Sequence, residues 1–95
     1  MKTRVMVVED DQNIQLLLRQ LLEGEGHEVL IAADGASVKK SFEGPQPDVV
    51  LLDLQLPDAQ GMDLMPIIRQ QWDEADIIVV TGNATIDAAV EATKR

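Results

Sequence analysis

The strongest constraint on the fold is a fourfold alternation of short apolar runs with longer amphipathic stretches. Residues 4–8, 27–32, 48–52 and 76–80 are apolar runs rich in β-branched side chains, and each reads as a buried strand. Between the first two, Ile14, Leu17, Leu18, Leu21 and Leu22 fall on one face of a helix, with Asp11 as its cap and Gly24 or Gly26 as its stop. A weaker helix over 35–42 sets Val38 and Phe42 on one face and is ended by Gly44, Pro45 and Pro47. A third, over 62–72, turns Leu64, Ile67, Ile68 and Trp72 inward; Pro66 inside it is tolerable only near the first turn, which sets the helix start close to Gly61. A last helix over 84–94 aligns Ile86, Ala89, Val90 and Thr93. Near-continuous apolar strands are buried on both faces, so the pattern implies an α/β fold with parallel strands, each carried to the next by a right-handed helical crossover.

A chain of 95 residues supports one domain, spanning 1–95, in which every element shares a core. With an apolar fraction of 45% and Phe42 and Trp72 as its only aromatics, that core is built of Val, Ile, Leu and Met. The absence of cysteine excludes disulfides and thiolate chemistry. A formal charge of −9 repels phosphate backbones and anionic lipid, which argues against direct nucleic-acid or membrane binding and favours a basic partner or a cation. The run after Lys2 and Arg4 is too short for a signal-peptide core or a membrane span, so a cytoplasmic, soluble protein is expected.

Three strand ends carry the chemistry. The first stops at Glu9-Asp10, the third delivers Asp53 ahead of a Pro and Gly loop, and the fourth ends at Thr81. In an open parallel sheet of the flavodoxin-like order 2-1-3-4-5 the ligand site lies at the carboxyl ends of the strands, where the order reverses between strands one and three. These residues would then share one crevice. Three crowded carboxylates raise one another's pKa values or call for a cation, and an all-oxygen site suits Mg²⁺. Each residue alone has a plainer reading: Asp10 as a solvated loop acid or cap, Asp53 as a turn former, Thr81 as the cap of the next helix. Their joint placement favours a site, while Asp11 keeps the capping role. His27, far in sequence from the acidic strand ends, reads as a loop residue, and Met62 and Met65 as packing.

The segments Val7-Val8-Glu9-Asp10-Asp11, Leu51-Leu52-Asp53-Leu54-Gln55-Leu56-Pro57-Asp58-Ala59-Gln60-Gly61 and Val79-Val80-Thr81-Gly82 resemble the receiver domain of two-component response regulators, in order and over the whole chain. Residues 81–92 are also similar to regulators whose output half is a sigma-54-activating ATPase. The resemblance implies a phosphoacceptor rather than an enzyme. Asp53 would take a phosphoryl group from a sensor histidine kinase with Mg²⁺ held by the side chains of Asp10 and Asp53, by Glu9 through water and by the backbone carbonyl of Gln55. Thr81 would hydrogen-bond the phosphoryl group and draw the loop of Gly82 and Asn83 inward, switching an output, transcription above all, whose domain normally shares the chain.

The sequence departs from that family in one respect. The fifth strand, with its Lys-Pro pair, and the fifth helix have no counterpart, so the expected architecture is (βα)4 in the order 2-1-3-4, a receiver incomplete at its C-terminus. An uncovered strand-four edge favours a homodimer or an element-swapped assembly. The main rival is a non-phosphorylated interaction module or inactive receiver. A haloacid-dehalogenase-like phosphatase is a minor one, because Gln55 stands where that chemistry needs a second Asp.

Overall fold

The computed structural model describes residues 2–79. In it four strands, β1 (Arg4–Val8), β2 (Glu28–Ala32), β3 (Val49–Leu52) and β4 (Asp76–Val79), alternate with three helices, α1 (Gln12–Gly24), α2 (Gly35–Ser41) and α3 (Gly61–Gln71). All neighbours pair in parallel, as the alternation implies, in the order β2-β1-β3-β4 that the receiver resemblance implies. The helix expected over 84–94 lies outside the described residues.

Register explains the two-sided burial. Val8 is level with Ala32 on one side and Leu52 on the other, and Leu52 with Val79, so these four side chains lie on one face. That face packs under α2 and α3 through Val38, Leu64, Met65, Ile68 and Trp72, with Phe42 edge-on to Trp72 at 4.8 Å between ring centroids. Val5, Val7 and Val29 occupy the other face and meet Leu18 and Leu22 of α1. The doubly wound arrangement is therefore complete around β1.

Helix ends follow local chemistry. Asp11 Oδ1 accepts from the amides of Asn13 (2.8 Å) and Ile14 (3.3 Å), capping α1 as its position before the periodic run implies. At the other end Gly26, at φ 88°, lets the His27 amide reach the Leu22 carbonyl and its own amide reach Glu23, a closing motif that favours glycine. α3 starts at Gly61, and Pro66 is solvent-exposed on it.

The five apolar residues placed on one face of α1 do share a helix, and the described elements cover two of them: Leu18 and Leu22 pack against the sheet, while Ile14, Leu17 and Leu21 are exposed. In α3, by contrast, Leu64, Ile68 and Trp72 are buried, joined by Met65, while Ile67 is only half-buried.

Candidate functional site

β1 and β3 lie side by side, so the residues that follow their last pair, Val8 and Leu52, emerge together. Two backbone bonds fix the exits: the Asp53 amide donates to the Val8 carbonyl (3.0 Å) and the Glu9 amide to the Ala32 carbonyl (3.0 Å). Carboxylate oxygens of Glu9, Asp10 and Asp53 consequently all lie within 4.8 Å of one another. The strand ends thus bring together the three acids singled out in the sequence.

The three acids differ in setting. Asp10 is exposed, Asp53 half-buried and Glu9 buried. Burial pushes the Glu9 carboxyl up from 4.5 to about 7, reinforced by a hydrogen bond with Asp53 and by the charges of Asp53 and Asp10; the Asp11 amide, which donates to Glu9 Oε1 at 3.3 Å, works the other way. The Gln15 side chain holds the Glu9 carbonyl from the first turns of α1. The upward shift favours a protonated Glu9 below about pH 7, which lessens the negative charge of the cluster. An all-oxygen, carboxylate donor set of this compactness fits a hard divalent cation such as Mg²⁺.

Asp53 opens a closed loop. Gln55 donates its amide to Asp53 Oδ1 (3.0 Å), Gln55 bridges Gln60 in antiparallel fashion, and the Leu56 amide donates to Ala59 (3.2 Å). Gly61 closes the loop with an amide bond to the Leu54 carbonyl (2.9 Å). A Cβ on Gly61 would stand 2.5 Å from the Asp53 carbonyl oxygen and 2.6 Å from the Leu54 Cα, so only glycine fits this crossing of two backbones. Gln55, placed at the metal through its carbonyl by the sequence reading, therefore sits beside Asp53 with its amide already engaged. Thr81, Gly82 and Asn83 lie outside the described residues.

One contact escaped the sequence reading. Asp58, at the loop tip, accepts from the amides of Gly35 (2.7 Å) and Ala36 (3.1 Å) at the start of α2. An acid following Pro57 is an ordinary turn signal, and nothing local in the sequence ties it to a helix more than twenty residues upstream.

The arrangement is matched by known proteins. Residues 5–95 fit the family model of the response regulator receiver domain. The chain belongs to the response regulator receiver family. This receiver is 35% identical over 91 residues to the DNA-binding transcriptional regulator NtrC of Proteus hauseri, covering 96% of the chain and 19% of the relative. It is 35% identical over 88 residues to the luminescence regulatory protein LuxO of Vibrio campbellii, covering 93% and 19%. The receiver therefore spans about a fifth of the length of these relatives. Among solved structures, a CheY-like receiver domain from Methanospirillum hungatei superimposes with a TM-score of 0.86 at 31% identity, over 98% of this chain and 77% of its own, which supports the flavodoxin-like fold. A response regulator from Burkholderia pseudomallei, solved with a phosphorylated aspartic acid, a calcium ion and citrate, gives 0.88 at 27% identity, over 98% and 55%.

Proposed function

We propose that this receiver is a phosphoacceptor in His-to-Asp signal transduction. The convergence of Glu9, Asp10 and Asp53 within 4.8 Å carries the reading. A carboxylate oxygen of Asp53 attacks the phosphorus of a phosphohistidine on a sensor histidine kinase; the new O–P bond forms an aspartyl phosphate as the P–N bond breaks, and the imidazole leaves and takes up a proton. Asp10 and Asp53 would hold Mg²⁺ by their side chains, Glu9 through water and Gln55 by its carbonyl. Bound there, Mg²⁺ supplies charge neutralisation for a transfer that depends on positioning and electrostatics. The Gln55 amide holds Asp53 Oδ1 and so fixes the orientation of the reacting carboxylate.

The Thr81 hydroxyl would then donate a hydrogen bond to a phosphoryl oxygen and draw the Gly82 and Asn83 loop inward, a local charge event with a distant readout. The output is transcriptional control by a further domain; the NtrC of Proteus hauseri, a DNA-binding transcriptional regulator of which this chain spans 19%, supports that reading. The proposed setting is cytoplasmic, where a sensor kinase's phosphohistidine and a transcriptional output would both be reached. The chain acts as a switch and not as an enzyme on a separate substrate. The phosphorylated aspartic acid described for the Burkholderia pseudomallei protein supports this assignment by analogy.

Incubation with Mg²⁺ and a small-molecule phosphodonor, read by intact mass, is expected to give one phosphoryl adduct on the parent and none on Asp53→Asn. A folded parent that gains no adduct overturns the reading and leaves an interaction module in its place.

The same chain is proposed to self-associate. Among the described residues β4 pairs only with β3, and Ile78, 47% exposed, shares a sheet face with Val7 and Leu51, the face on which α1 lies with Leu17 and Leu21 uncovered. Sedimentation of the 95-residue chain is expected to show a concentration-dependent dimer or larger species that Ile78→Glu disperses; a parent monomeric throughout sinks this expectation.

A further inference from the structure

We propose that Asp58 is a positioning residue for the acidic site, acting through the loop that Asp53 opens; the proposal rests on the phosphoacceptor reading. The Asp58 carboxylate spans the first two amides of α2, taking Gly35 on Oδ1 and Ala36 on Oδ2. α2 has its own cap: Asp34 accepts from Ser37 at 2.8 Å, and the Asp34 carbonyl takes the first intrahelical bond from Val38. Ala36 is exposed and water could satisfy its amide, whereas Gly35 is buried and its amide needs a partner, which Asp58 supplies. The bidentate contact therefore ties the loop tip to a helix start that requires it.

What it holds is the far end of the Asp53 loop. From Asp53 the backbone runs through Gln55, whose amide orients Asp53 Oδ1, to a tip at Pro57-Asp58, and returns through Ala59 and Gln60 to Gly61. The base of the loop is clamped by the Gly61 bond to Leu54, and its tip is clamped by Asp58 on α2. Gln55 lies between the two clamps. Charge-assisted bonds to helix N-terminal amides are among the stronger anchors an exposed carboxylate makes. Gly35 completes the seat: a Cβ there would come within 3.0 Å of the Ala59 Cβ and 3.2 Å of Asp58 Oδ1, so the loop tip rests where glycine leaves room. Releasing the tip lets Gln55 swing and the Asp53 carboxylate lose its fixed orientation toward Glu9 and Asp10.

The test is calorimetric Mg²⁺ titration of the intact 95-residue chain, with thermal unfolding measured in parallel. Asp58→Ala is expected to weaken Mg²⁺ binding about tenfold, in the range typical of residues that orient metal ligands, and Asp58→Asn, which keeps one acceptor, to recover part of that loss. Gly35→Ala provides the separation from a structural role: it favours α2 by helix propensity yet crowds the loop tip, so Mg²⁺ affinity falls without a matching loss of melting temperature. A parent that binds Mg²⁺ and forms the Asp53 adduct, with affinity unchanged in Asp58→Ala and Gly35→Ala, overturns the role of Asp58 alone. A parent that binds no Mg²⁺ overturns the phosphoacceptor reading, and this proposal with it.

Discussion

Gly61→Ala is expected to destabilise the protein by about 2–4 kcal/mol, a large share of the roughly 5–10 kcal/mol that a domain of this size commands. The new methyl group meets backbone on every near side: the Asp53 carbonyl oxygen at 2.5 Å, the Leu54 Cα at 2.6 Å and the Asp53 carbonyl carbon at 3.2 Å. No flexible side chain stands there to yield. Relief requires moving either the start of α3, whose buried Leu64, Met65 and Ile68 fill the core, or the residue that carries the proposed phosphoacceptor. The folded fraction that survives is expected to bind Mg²⁺ more weakly than the parent, because the shift displaces Asp53 from Glu9 and Asp10. Gly24→Ala is the matched control, since a Cβ at that helix-terminal position meets nothing within 4 Å. Urea unfolding of the three proteins decides the matter, and a Gly61→Ala variant within about 0.5 kcal/mol of the parent removes the steric argument.

The parts of this fold that the sequence makes legible are those set by period and by strand ends. The runs that become β1 to β4 are apolar without alternation, and burial on two faces is the physical cause; parallel pairing follows from that, whereas the strand order came from the receiver resemblance. Glu9, Asp10 and Asp53 were legible for the same reason, since adjacent parallel strands bring their exits together. The helix of α1 and its apolar face were legible too, but helical periodicity reports an apolar arc and not its occupants. Leu18 and Leu22 meet the sheet, whereas Ile14, Leu17 and Leu21 belong to an arc that the described elements leave open. Asp58 was illegible on different grounds. Its partners are backbone amides of another element, which carry no side-chain signature, and the contact exists only once the loop folds back over Gly35.

In the absence of a cation the receiver is expected to lose stability as pH rises from about 5 to about 8, the reverse of ordinary carboxylate behaviour. Glu9 is the cause. Its folded-state value of about 7 lies above the 4.5 of the unfolded chain, so the folded protein keeps a proton that the unfolded one has given up. That contribution is whole below 4.5 and disappears as pH climbs through 7, with a magnitude of at most about 3 kcal/mol. Asp34 pulls in the opposite direction, but its carboxyl lies below 3.8 through its bonds from Ser37, outside this window. Glu9→Gln is expected to flatten the profile between the two pH values. A divalent cation in the cluster competes with the Glu9 proton, so the apparent Mg²⁺ affinity should fall about tenfold for each pH unit below 7, with close to one proton released per ion bound near pH 6 and almost none near pH 8. Calorimetry in two buffers of different ionisation enthalpy counts that proton directly. A parent whose Mg²⁺ affinity does not change across this range, or an apo form no less stable at the alkaline end, would mean that Glu9 is ionised in the folded protein; the acids at the ends of β1 and β3 would then be held apart by solvent rather than joined through a proton.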